Sequence, residues 1–227
     1  MGRSDPAPML PGIDTERDPL DRYYTPLDVT RGLVAALGVP RHARVIEPSV
    51  GGGAWVTALR ESGHTGPIVG VDLDPDARGF GLCDEARSGR WEDHAPLLPE
   101  VDVPTIVLGN PPFRQAAEHV RAARARGWRV ALLLRSTFVE PVESLLNPER
   151  ARLELWRDDP CTVELTWPHR IRFGGAAGTE SVLHSMFVWA SPEPAPGADG
   201  WRRRLVWPDR VGAAGGCFPS LTGGSHG

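Results

Sequence analysis

Strand-sized apolar runs alternating with helix-sized amphipathic stretches predict an α/β chain, a mostly parallel sheet with helices on both faces. Two features sharpen this. Val130 to Leu134 (VALLL) is apolar at every position, as a strand covered on both faces must be. A turn of three glycines, Gly51 to Gly53, joins the first strand-like run to the helix after it, and an open α/β sheet builds a nucleotide-sized pocket at its carboxyl edge in this way.

Residues 1–22 are polar and proline-rich and are expected to form a flexible arm. Pro26 to Leu37 has apolar residues at helical spacing, with Thr25 as the expected N-cap, Pro26 in the first turn and Gly38 as the stop. Arg44 to Ile46 reads as a buried strand, Gly53 to Glu61 as a helix and Pro67 to Val71 as the next strand. Asp74 and Pro75 look like the start of another helix. Thr105 to Leu108 is strand-like, Arg114 to Arg126 helical, and Val163 to Trp167 and Val182 to Ala190 are further strands. The tail, residues 191–227, is rich in Pro and Gly, with Arg204 to Trp207 a candidate edge strand.

A chain of 227 residues suits one α/β domain, here expected over residues 23–190. Such a domain buries enough apolar surface to need no staples. Cys83, Cys161 and Cys217 are odd in number and scattered, which excludes a disulfide framework and a zinc half-site; no metal is expected. No run is long enough to cross a bilayer, and the start of the chain has no signal-peptide core, so a cytoplasmic, non-membrane protein is expected. The net charge of −4 does not advertise a polyanion binder, although a basic face can coexist with an acidic back. The chain has no lysine, so every fixed side-chain cation is a forked guanidinium. Arg121, Arg124 and Arg126 form no clean stripe and read as a solvated face; Arg202 to Arg204 could meet phosphates or solvent equally.

Three motifs carry chemistry. The first strand runs into Glu47-Pro48-Ser49-Val50-Gly51-Gly52-Gly53. Glycines let backbone approach a ligand closely. A dinucleotide fold would place a third glycine where Val56 stands, and Glu47 suits a cationic or hydroxyl-rich ligand better than a pyrophosphate. About twenty residues on, the next strand ends in Asp72-Leu73, where a carboxylate can accept both hydroxyls of a ribose. The third motif is Asn110-Pro111-Pro112-Phe113, directly after a strand. The prolines fix the backbone and keep the Pro111 carbonyl out of helical bonding, beside the side-chain carbonyl of Asn110. Two acceptors at one spot would hold a planar amine, favour a pyramidal nitrogen and free its lone pair for attack on a methyl sulfonium. Phe113 can stack on a base turned out of its helix.

With these three elements in this order, the sequence resembles the amino-methyltransferases that carry a (D/N/S)-P-P-(Y/F/W) signature, particularly the gamma-class adenine-N6 DNA methyltransferases of restriction and phage type. The resemblance covers about Tyr23 to Ala190. It implies a seven-stranded Rossmann-like, three-layer S-adenosylmethionine-dependent methyltransferase fold. It also implies S-adenosylmethionine as cofactor and transfer of its methyl group to the N6 amine of adenine in DNA. By that resemblance Tyr24, Thr25 and Pro26 cover the methionine end, Glu47, Pro48, Ser49, Gly51 and Gly53 form the cofactor loop, and Asp72 with Leu73 holds the ribose. Asp93, with Glu92 as a rival, would meet the cofactor adenine, although RWEDH is not the usual Asp-Phe. Asn110, Pro111, Pro112 and Phe113 form the catalytic turn, Asn110 also touching the cofactor and Phe113 the substrate, and Arg170, Arg172 and Phe173 form the substrate-side loop, a solvated hairpin being the competing reading of those arginines. Larger relatives carry a separate target-recognition domain, and nothing after Ala190 matches one; sequence recognition would then fall to short loops or to a partner. The alternatives are an RNA base-amine methyltransferase, a protein glutamine methyltransferase, and a nucleic-acid-binding module that kept the fold without the cofactor.

Overall fold

The computed structural model describes residues 24–139, 150–174, 182–190, 202–206 and 217–218. The expected arm at 1–22, most of the tail and the side chains of Arg202, Arg203 and Arg204 lie outside the described residues.

One sheet of eight strands organises the chain: β1 (Arg44–Glu47), β2 (Ile68–Asp72), β3 (Glu85–Ser88), β4 (Thr105–Gly109), β5 (Arg129–Arg135), β6 (Val163–Thr166), β7 (His184–Trp189) and β8 (Arg202–Leu205). Their spatial order is β3-β2-β1-β4-β5-β7-β6-β8. The first five in that order are parallel, and β7 runs antiparallel between β5 and β6. The seven strands β1 to β7 form the expected Rossmann-like sheet, and β8 adds the candidate edge strand, two residues earlier than expected, parallel to β6.

Helices α1 (Leu27–Leu37) and α2 (Ala54–Glu61) cover one face; α3 (Trp91–His94), α4 (Ala116–Arg124) and α5 (Arg150–Asp158) cover the other. The pleat sorts each strand between two cores. Val45, Ile106, Leu108, Ala131 and Leu133 join the core under α1 and α2, whereas Ile46, Val107, Val130, Leu132 and Leu134 join the core under α3, α4 and α5. The central strands therefore read as continuous apolar runs, because each side chain is buried whichever way it points.

The local expectations were met unevenly. Gly38 ends α1 in the left-handed region at φ 63°. At the other end Pro26, not Thr25, occupies the N-cap position without a side-chain cap, and the Thr25 hydroxyl is engaged elsewhere. No helix begins at Pro75. Asp74 accepts the Asp76 N–H at 3.0 Å in a tight turn, and a 3-10 turn follows at Arg78–Leu82. Gly79 and Gly81 interrupt helical propensity there, and the Gly79 N–H bonds to the Gly51 carbonyl at 2.9 Å. A 3-10 turn at Phe113–Gln115 delays the start of α4 to Ala116.

Gly79 is the close approach that fixes the glycine loop. A Cβ on it would lie 2.8 Å from the Gly53 nitrogen and 2.9 Å from its Cα, both backbone atoms that cannot step aside. Gly79→Ala is expected to cost about 1–3 kcal/mol by overpacking. Chemical denaturation should report a lower midpoint at an unchanged slope.

Candidate active site

Parallel β2, β1 and β4 lie side by side, so their carboxyl ends meet at one edge. The glycine loop leaves β1, Asp72 closes β2, and Asn110 follows β4. Two adjoining clefts open there. The first encloses about 800 Å³ and is lined by Asp72, Leu73, Glu92 and the whole Asn110–Phe113 turn, among others. The second encloses about 900 Å³ and is lined by Thr25, Glu47, Trp55 and Arg78, among others. Tyr24, Ser49, Gly51 and Asn110 line both.

The glycine loop is shaped for close approach. Gly51 has φ 47° and Gly53 φ 78°, conformations that suit glycine. A Cβ on Gly53 would also meet Gly79 Cα at 2.9 Å. Asp72 ties the loop to β2: one carboxylate oxygen accepts the Gly51 N–H at 2.7 Å, the other the Asp74 N–H at 2.9 Å. Each oxygen retains a second lone pair for an outside donor.

Glu47 is 2% exposed, and its Oε2 has no hydrogen-bond partner. Burial, then the nearby Asp72 charge, pushes its carboxyl well above the ordinary glutamate value of 4.5. An orphaned carboxylate oxygen in the wall of a cleft fits a cationic ligand group. Arg78, on the 3-10 turn, lines the same cleft and could meet a carboxylate.

Asn110 stands at the junction of the clefts. Its amide nitrogen donates to the Thr25 hydroxyl at 3.1 Å, which turns the side-chain carbonyl oxygen away from Thr25. The Gln115 N–H bonds to the Pro112 carbonyl at 3.0 Å, so the 3-10 turn begins after Pro111 and its carbonyl stays outside the turn. Phe113 is braced from behind: the Arg135 guanidinium lies 4.9 Å from its ring centre and the His184 ring 5.6 Å away. His184 is fully buried, and burial with the Arg135 charge lowers its pKa to about 4, so the ring is a neutral spacer at neutral pH.

Tyr24 joins the parts. Its ring lies over the loop, 3.3 Å from where a Gly52 Cβ would be. Its backbone exchanges hydrogen bonds with Gly174 at 3.3 and 2.8 Å. The segment before α1 thus links the glycine loop, Asn110 and the Arg170–Gly174 loop.

Of the residues expected at the site, Tyr24, Thr25, Glu47, Pro48, Ser49, Gly51, Asp72, Leu73, Asn110, Pro111, Pro112 and Phe113 line the clefts. Pro26 and Gly53 support them as the N-cap positions of α1 and α2. Asp93 does not line the clefts: it is exposed, and Glu92 faces the cavity instead, 3.0 Å from His119 Nδ1. The close approach of His119 holds the Glu92 carboxyl below the usual value. Phe173 is 3% exposed and packs edge-on against His184 in the core, so it supports Phe113 from behind rather than facing the cavity. Arg170 and Arg172 are exposed outside both clefts and make no ion pair among the described residues. Arg121, Arg124 and Arg126 are paired with Glu154, Asp159 and Glu100, and with the Arg124 and Arg126 side chains only 7% and 18% exposed the set is a group of packed ion pairs rather than the solvated face expected. Arg78, Glu92, His119 and His184 were missed as site residues, or ranked second in the case of Glu92, because no local motif marks them. Among the described residues there is no metal-binding cluster and no helix long and apolar enough to cross a membrane.

No family model matches the chain. It is 33% identical over 110 residues to the type II methyltransferase M.TthHB8I of Thermus thermophilus, covering 47% of this chain and 24% of that protein. It is 31% identical over 102 residues to the type II methyltransferase M.XamI of Xanthomonas campestris pv. amaranthicola, covering 40% and 19%. The matched stretches thus span a quarter or less of these relatives. Among solved structures it is similar to a protein assigned as a modification subunit of a type I restriction enzyme from Vibrio vulnificus, with TM-score 0.53, 14% identity, and 81% and 49% of the two chains covered. It is also similar to an assigned RNA methyltransferase of Pyrococcus horikoshii, with TM-score 0.53, 18% identity, and 76% and 88% covered. At these identities the structures establish the fold, the Rossmann-like fold of S-adenosylmethionine-dependent methyltransferases.

The Glu47 carboxyl gives a signed expectation. Its folded pKa lies above its unfolded value, so its contribution to stability is full below pH 4.5 and is lost as pH rises towards the raised value. Glu47→Gln should therefore match the wild type near pH 4 and exceed it at pH 8, by about 1.4 kcal/mol for each pH unit by which the folded value is raised. Thermal melts of the ligand-free protein across that range check this.

Proposed function

We propose that this chain transfers the methyl group of S-adenosylmethionine to the N6 amine of an adenine in DNA, turned out of its helix into the Asn110–Phe113 side of the first cleft. The observation that carries the reading is Asn110, clamped by Thr25 at the junction of both clefts and continued by two rigid prolines and an aromatic ring. The partial similarity to two type II methyltransferases supports DNA as the substrate.

The donor set fits the cofactor. Glu47 faces the cationic methionine end, and Arg78 can take its carboxylate. Asp72 accepts ribose hydroxyls, and Glu92 stands where an adenine amine can donate to it. When bound, S-adenosylmethionine supplies an electrophilic methyl group on a sulfonium centre.

Asn110 Oδ1 and the Pro111 carbonyl accept the two N–H groups of the target amine. That amine is a poor nucleophile because its lone pair is conjugated into the ring. Accepting both hydrogens favours a pyramidal nitrogen, so the acceptors act chiefly on the transition state. Phe113 stacks on the extruded base, a contact worth about 1–3 kcal/mol in single-strand binders. Thr25 acts through Asn110 by holding the amide in the orientation that presents its oxygen. Arg170 and Arg172, exposed beside the same edge, would meet backbone phosphates.

Asn110→Ala should reduce methyl transfer at least about 100-fold, the scale of losing one transition-state contact, while cofactor affinity changes less than about threefold. Calorimetric titration with the cofactor beside a single-turnover assay separates the two, and a parallel loss of affinity would contradict the role given to Asn110. Thr25→Val should lower kcat with little effect on cofactor binding, and Thr25→Ser should restore it. Asp72→Ala should weaken cofactor binding about tenfold or more, a loss of ~1.4 kcal/mol; unchanged affinity would move the ribose site elsewhere.

A further inference from the structure

The opposite, amino-terminal edge of the sheet holds a second concentration of charge that the reaction above does not use. Arg44, Thr105 and Arg129 are the first residues of the neighbouring parallel strands β1, β4 and β5. A cleft of about 560 Å³ opens beside them, lined by Thr105, Arg126, Trp128, Arg129 and Glu100, among others. The guanidiniums of Arg44 and Arg126 lie 5.2 and 4.6 Å from the Trp128 ring centre.

The three arginines differ in how their charge is met. Arg126 is neutralised by Glu100 and donates to the carbonyls of Ala95 and Leu98. Arg44 is 3% exposed; its Nε donates to Thr105 Oγ1 at 3.1 Å and its Nη1 to the Pro99 carbonyl at 2.6 Å, but its Nη2 has no partner. Arg129 is 8% exposed, and neither its Nε nor its Nη1 has a partner. Neither arginine has a carboxylate within ion-pair distance among the described residues.

Burying a cation without a counter-charge is strongly unfavourable. A lysine would escape by losing its proton, but a guanidinium keeps its charge under all ordinary conditions. An exposed arginine of this kind needs no explanation; two that are more than nine-tenths buried at strand starts on either side of β4, one of them in the wall of a cleft, do. The Nε–H and the Nη1 N–H of Arg129 lie on different sides of its guanidinium, and each is a charge-assisted donor that an oxyanion oxygen can accept.

We propose that this cleft is a second ligand site, in which Arg129, with Arg44 behind Thr105, binds the oxyanion of a phosphate or carboxylate group. The site lies at the edge of the sheet away from Asn110, and it does not depend on the function proposed above.

The test is thermal melting of the full chain and of Arg129→Leu and Arg129→Gln in sodium chloride, acetate and inorganic phosphate at matched ionic strength. In the wild type, phosphate or acetate should raise the midpoint saturably above chloride, and whichever anion does so identifies the class of ligand. Both variants should lose that saturable rise and keep only the general effect of the salt. In chloride, Arg129→Leu should melt no lower than the wild type, because it removes an uncompensated buried charge. A rise of the same size in the wild type and both variants, or no saturable rise in the wild type, would overturn the proposal.

Discussion

The parallel pairing of β1 between β2 and β4 is the constraint on which the rest of the site depends. Ile46 pairs with Val69 on one side and Val107 on the other, so the three strands stop at nearly the same level. Glu47, Asp72 and Asn110, far apart in sequence, therefore meet at the ends of three adjacent strands, within about 10 Å of sheet edge. The Val50 N–H bonds to the Val71 carbonyl at 3.0 Å, and Asp72 holds the Gly51 N–H at 2.7 Å. The ends of β1 and β2 are thereby locked together before any ligand arrives. Strand ends that converge like this form the crevice in which open α/β sheets bind their ligands.

The same edge stores an electrostatic cost. A carboxyl group such as Glu47, buried beside Asp72 with one oxygen unsatisfied, weakens the ligand-free protein, and a cationic ligand group would satisfy it. Sites of this kind trade stability for affinity. The backing of Phe113 follows a different logic. His184 and Arg135 pack against Phe113, and Phe173 packs on His184 in turn, so the exposed part of the ring keeps one orientation at little entropic cost.

What the sequence made legible follows from how each residue signals. The apolar runs of β1, β4 and β5 and the glycine and NPPF turns are local patterns dictated by burial on both faces and by backbone geometry, and they stand out in one dimension. β3 (EARS) was not anticipated because its side chains are largely exposed; only its backbone pairing with β2 makes it a strand. α5 (RARLELWRD) was missed because it is highly charged and rests on the core mainly through Leu155, with Trp156 partly buried against it. The helix expected at Pro75 gave way to a tertiary demand, the docking of Gly79 on the glycine loop. Glu92 outranks Asp93 because the short α3 has one inward face, fixed by Trp91. Arg78 and His184 reach the site through loop and sheet packing that no spacing rule encodes.

The chemical identity of the methylated atom decides the function. The purified chain should be given methyl-labelled S-adenosylmethionine with duplex DNA, single-stranded DNA, ribosomal RNA and a protein extract in parallel, and the products digested and separated. The account predicts label in DNA that runs as N6-methyladenine. Label confined to RNA or to protein would contradict the substrate, and no label together with no cofactor binding would contradict the enzymatic reading itself.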